Sequence, residues 1–190
     1  LYDAKTTSLL TRHLQGEFVP ALFGNDAVNP VQPVPRIRLA GQIDIDQLVA
    51  LQVQLFAEDA GVHEPFVDLS WSEHHGHDDF ETLLDSPDSV VLVAEANERV
   101  VGFLAGYLSP PTPTRTVVTF AILRSLYVLD GYRQGGAGAA LTGAFVEWAQ
   151  SQGAVEAHVS AYATNRRAQR LYERLGFTTR SISRVKPLGE

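Results

Sequence analysis

The 190-residue chain reads as an α/β (α+β) protein: a mixed, mostly antiparallel central sheet with helices on both faces. Three observations predict this. Two β-branched, apolar runs, SVVLVAEA (89–96) and RVVGFLAGYL (99–108), flank a turn at Asn97–Glu98, the pattern of an antiparallel hairpin. The run TVVTFAILRSLYVL (116–129) is long and apolar, as in a central strand buried on both faces. A glycine-rich turn, a helical pattern and the strand VEAHVSAY (155–162) follow it. Such a strand–helix–strand unit places two strands parallel through a right-handed crossover.

The elements follow in order. Residues 1–35 form an N-terminal arm: Leu9, Leu10, Leu14 and Phe18 fall at helical spacing, and NPVQPVP (29–35) reads as a proline-rich linker or surface strap. The folded body spans 36–190. RIRLA (36–40) alternates as a first strand. Asp44 is placed to cap a helix, with Gln47 as its reciprocal partner, and Leu48, Val49, Leu51, Leu55 and Phe56 supply the apolar face. A polar stretch precedes a short helix near Asp78–Leu84. After the hairpin, PPTPT (110–114) makes a loop. The next helix runs from Ala139 through Leu141, Phe145, Val146, Trp148 and Ala149, and Gly153 ends it. NRRAQRLYERLG (165–176) is a helix stopped by Gly176, and FTTRSISRV (177–185) closes as a strand.

Bulk properties exclude several classes. The net charge of -7 argues against nucleic acid as the main partner. No stretch has the length of a membrane span, and the first residues lack a signal-peptide pattern. The absence of cysteine rules out disulfides and thiol catalysis. A soluble, cytoplasmic protein is the expectation. His74, His75 and His77 in EHHGHDD do not have the spacing of a helical zinc pair, and no cysteine assists them, so no metal site is expected.

LDGYRQGGAGAAL (129–141) carries the chemistry. A glycine-rich turn ahead of a helix suits an anion, because free backbone N–H groups and the helix dipole both point at it. No Gly-Lys-Ser/Thr ending is present, and Leu141 stands where a dinucleotide fingerprint needs its third glycine. The remaining pattern, Arg133-x-x-Gly136-x-Gly138, resembles the pyrophosphate loop of the Gcn5-related N-acetyltransferases (the GNAT family). NRRAQRLYERLGF (165–177) also resembles that family's second motif, Asn-x-x-Ala-x-x-Leu-Tyr-Glu-x-x-Gly-Phe, at every defined position. The resemblance covers about residues 36–186.

The resemblance implies a GNAT-like sheet with a splayed parallel strand pair, and acetyl-CoA as cosubstrate in the cleft between those strands. It places the backbones of Leu126 and Val128, with Tyr127 between them, along the pantetheine. The Val128 N–H then faces the developing oxyanion. Arg133 and the backbone from Gln134 through Gly135, Gly136, Ala137 and Gly138 to Ala139 hold the pyrophosphate. Asn165 hydrogen-bonds the cofactor, Ala168 leaves room for it, and Tyr172 donates a proton to the departing thiolate. The implied activity is acetyl transfer to a primary amine of a small molecule or peptide by direct attack. A non-catalytic acyl-CoA sensor and an enzyme using a longer acyl-CoA are the alternatives. Arg124 and Ser125 stand where polyamine-acetylating relatives carry carboxylates, so Arg124 is a candidate for binding an anionic group of the acceptor. His158 and Ser160, on one face of the next strand, are candidates for the acceptor side, with His158 suited to act as base. The acidic stretch from Glu58 to Glu81 is placed to attract an amine. The family often dimerises, and the arm or a second subunit is expected to cover a bare sheet edge.

Overall fold

A computed structural model of the chain describes residues 35–110 and 118–188. The arm, save for Pro35, and most of PPTPT lie outside them. Five strands form one sheet in the order β1 (Arg36–Leu39), β2 (Ser89–Ala96), β3 (Arg99–Ser109), β4 (Phe120–Val128), β5 (Glu156–Val159). The first four are antiparallel and β5 runs parallel to β4. The expected hairpin is present, and Asn97 and Glu98 both take positive φ (51° and 59°). That turn shape matches the right-handed twist of the two strands.

Alternation along β2 divides the core. Val91 and Val93 pack with α1 (Ile45–Leu55) and α2 (Trp71–Asp85) through Leu48, Leu51, Phe80 and Leu83. Val90, Leu92 and Ala94 face α3 (Ala137–Ser151) through Leu141, Phe145 and Ala149. Tyr172 of α4 (Arg166–Arg174) packs against that second cluster. Helices therefore cover both faces, as expected. Gly153 and Gly176, each with positive φ, follow the ends of α3 and α4.

Five expectations are corrected. Helix α2 begins at Trp71 rather than near Asp78. Its buried positions start with Ser72 and Gly76, small residues that let it approach α1, with Gly76 lying against Val49 and Gln52. Asp44 stands at the N-cap position of α1 but gives it no side-chain cap bond: its carboxylate is buried and accepts two hydrogen bonds from Arg38 (2.7 and 2.9 Å) and one from the Gly41 N–H (2.8 Å), which closes the short 3-10 turn before α1. Gln47 instead accepts the Val100 N–H (3.1 Å). Strand β4 starts only at Phe120 and is not buried throughout, since Arg124 is exposed. The strand expected over 155–162 pairs only from Glu156 to Val159. Residues 177–185 form no strand, and Ile182 and Val185 are exposed; alternation alone does not hold a strand that has no neighbour.

Candidate active site

Strand β4 changes register at its midpoint. Ala105 pairs with Ser125 and Gly106 with Leu123, which leaves Arg124 as an extra residue. Such a bulge bends the strand that carries it. The parallel pairing with β5 stops at the same level, at Leu123 with Val159. The two strands part beyond it, and a cleft of about 1410 Å³ opens there.

The backbone of β4 faces this cleft at alternate residues. The Leu129 N–H bonds to the Val101 carbonyl (2.9 Å), and Val128 stands opposite Gly102. In an antiparallel ladder, bonded and non-bonded pairs alternate. Val128 and Leu126 therefore turn their N–H and C=O groups away from β3 and into the cleft. Tyr127 does the opposite. Its backbone meets Phe103, its ring is buried against the α1 side, and its hydroxyl donates to Glu58 Oε1 (2.5 Å). Burial and the Glu58 carboxylate push this phenol up to about 12.

Arg133 closes one end. Its Nε donates to the Val128 carbonyl (2.5 Å), its guanidinium pairs with Glu58, and it lies 5.2 Å over the Tyr127 ring. Gly136 opens α3 with φ at 83°, in the left-handed region that only glycine enters without strain. Gln134, Gly136, Gly138 and Ala139 line the cleft, whereas Gly135 is exposed outside it and Ala137 is buried in the core. A Cβ at Gly135 or Gly136 would meet nothing within 4 Å, so internal packing does not demand the glycine pair. Arg167 joins this wall, and no carboxylate pairs with it among the described residues.

Helix α4 supplies the opposite side. Asn165 caps it by accepting the Ala168 N–H (3.0 Å), and its Nδ2 donates to Asp59 Oδ1 (2.7 Å). Ala168 and Tyr172 follow along the same face of the cleft. Burial, with the Asp59 carboxylate next, pushes the Tyr172 phenol up to about 12. It is a neutral O–H at physiological pH, the state a proton donor needs.

The candidates for the acceptor side are dispersed. Ser160 lines the cleft just past the end of β5. His158 does not: its Nε2 bonds Glu156 (2.9 Å), and its ring packs on Phe120. Arg124 also lines the cleft, but its guanidinium reaches α2 and forks onto Asp79 (2.6 and 3.0 Å). Sequence reasoning missed His63. It sits in the helical continuation of α1, a π turn over Phe56–Ala60 followed by Gly61–His63, and lines the cleft with Glu58 and Asp59. The i, i+4 spacing of Asp59 and His63 was the available signal. The histidines of EHHGHDD lie on α2, where His77, Asp78 and Glu81 gather on its exposed face.

Known proteins resemble this chain in sequence and fold. Over 94 residues, half of this chain, it is 33% identical to the uncharacterized N-acetyltransferase YhfO of Bacillus subtilis (strain 168), and the alignment spans 62% of that protein's length. The aminoglycoside N-acetyltransferase AAC(6')-Iy in complex with CoA superposes with a TM-score of 0.64 at 21% identity, over 80% of this chain and 93% of its own. A probable acetyltransferase superposes with a TM-score of 0.63 at 26% identity, over 82% and 99%. Residues 60–177 match the family model described as the acetyltransferase (GNAT) family. With that match covering more than half its length, the chain belongs to the GNAT acetyltransferase family.

Proposed function

We propose that this chain is an N-acetyltransferase that moves the acetyl group of acetyl-CoA to a primary amine by direct attack. The splay of β4 from β5, with the N-terminus of α3 at one end, carries this reading. The cleft-facing backbone of Leu126 and the N–H of Val128 offer strand-like hydrogen bonds to a pantetheine arm. The first N–H groups of α3 and the cations of Arg133 and Arg167 offer a seat for pyrophosphate. That seat includes Gly136, which leaves space above the backbone. The fold shared with a CoA-bound aminoglycoside acetyltransferase supports the same cosubstrate.

In this reading the amine nitrogen attacks the thioester carbonyl carbon, and the Val128 N–H meets the oxygen as charge develops on it. The carbon–sulfur bond breaks, and Tyr172 gives its proton to the thiolate. The resulting phenolate recovers a proton from the acetylated nitrogen. Thiol release from acetyl-CoA in the presence of a pool of primary amines tests the proposal. Amine-dependent release supports it; acetyl-CoA that binds without any amine-dependent release would point to a sensor.

A further inference from the structure

We propose that Asp59 and His63 form the acceptor subsite, with Asp59 holding the ammonium of a primary amine and His63 Nε2 removing its proton. This rests on the acetyltransferase reading above. Both side chains line the cleft and are only partly exposed, at 30% and 16%. His63 Nδ1 lies 2.7 Å from Thr164 Oγ1. With Nδ1–H donating to that hydroxyl, Nε2 carries the lone pair. It faces Asp59 Oδ1 across 3.7 Å, too far for a hydrogen bond. A nitrogen about 2.9 Å from each atom, an ordinary hydrogen-bond length, closes a triangle over that gap.

The surroundings fit a cation. Burial first, then the carboxylates of Asp59 and Glu64, disfavour ionisation of Tyr162, whose ring lies 5.3 Å from that of His63. Thr164 and Asn165, from the loop ahead of α4, supply the remaining polar contacts. Tyr172 stands near enough to Asp59 to feel its charge. The proton acceptor and the proton donor thus belong to one cleft.

Protons balance. The ammonium gives one proton to His63, which becomes imidazolium, and the freed lone pair attacks the thioester. Tyr172 protonates the departing sulfur and takes the surplus proton from the new amide nitrogen. His63 then releases its proton to solvent.

The test uses the full chain with acetyl-CoA and four primary amines at millimolar concentration: butylamine, glycinamide, spermidine and neamine. His63→Asn keeps a donor for Thr164 and removes Nε2. The expected result is a fall in kcat of about 100-fold, the usual scale of general-base loss, with acetyl-CoA affinity unchanged. The wild-type fall in kcat/KM on acidification should vanish in this variant. Asp59→Asn should raise the amine KM more than it lowers kcat. A His63→Asn enzyme that keeps the rate and the acid limb overturns the proposal. Failure to acetylate any of the four amines while acetyl-CoA still binds is the sensor outcome, which overturns the acetyltransferase reading and this proposal with it. Failure of the wild-type protein to bind acetyl-CoA overturns the acetyltransferase reading itself.

Discussion

Leu123 and Val159 are the last residues at which β4 and β5 lie side by side. The next residue, Arg124, is the bulge. One irregularity thus both bends β4 and ends its pairing, and the cleft exists because of it. The five expectations below test this arrangement and the fold that supports it.

The Tyr172 hydroxyl has no hydrogen-bond partner among the described residues, and its ring packs on Phe177 at 5.7 Å. Tyr172→Phe therefore removes a proton and leaves the packing. We expect kcat to fall about 100-fold, as for loss of a positioned acid, with unchanged melting temperature and acetyl-CoA affinity. Because the phenol is raised to about 12, its ionisation should not limit the rate until pH approaches that value.

Arg124→Ala removes the fork onto Asp79, whose side chains are 30% and 20% exposed. Partly solvated pairs of this kind contribute little, about 1 kcal/mol or less. A melting shift within about 4 °C is expected for a domain of this size. A larger loss would mean that the pair anchors α2 to the sheet.

Asp44 is held below the usual carboxylate range, first by the hydrogen bonds from Arg38. Asp44→Ala leaves the Arg38 guanidinium and the Gly41 N–H short of a partner, at a cost of about 2 kcal/mol. A lowered pKa stabilises the fold above the ordinary value of about 4, and that stabilisation is lost as pH falls through the folded value. Urea unfolding should show a wild-type advantage at neutral pH that shrinks on acidification below about 4.

Gly106 lies where the sheet meets α3. A Cβ there would come within 2.5 Å of Phe145 Cε2 and 2.8 Å of the Ile122 carbonyl oxygen. Phe145 is fully buried and cannot swing away. Gly106→Ala should destabilise by about 1–3 kcal/mol, the range for overpacking, measured by thermal or chemical unfolding.

Local patterns in the sequence were a sound guide wherever local physics decides. The hairpin follows from two β-branched, apolar runs around Asn97, and the ends of α3 and α4 follow from Gly153 and Gly176. The loop at Gly136 announced itself because a positive φ and an open approach leave few other residues. Non-local partners were invisible. Asp44 and Gln47 have the spacing of a capping box, but Arg38 on β1 and Val100 on β3 claim them instead. Helix α2 hid because its buried face begins with Ser72 and Gly76 rather than large apolar residues. The 177–185 segment alternates like a strand, yet no described strand lies beside it. Asp59 was read within the acidic stretch from Glu58 to Glu81, but its pairing with His63 was masked by the π turn after Leu55, which breaks the helical phase that a pattern count follows. Asn165 was read through the resemblance as a cofactor ligand; both ends of its amide serve the cap and Asp59.

The most direct test of the central claim is calorimetric titration with acetyl-CoA of the wild-type chain and Gly136→Val. Valine at φ 83° carries about 1–3 kcal/mol of backbone strain and sets a branched side chain over the N-terminus of α3. Micromolar binding by the wild type, weakened about tenfold or more in a variant that still folds, is the predicted result. Absence of binding by the wild-type chain would mean that the cleft is not a cosubstrate site, and equal binding by both would remove the loop at Gly136 from it.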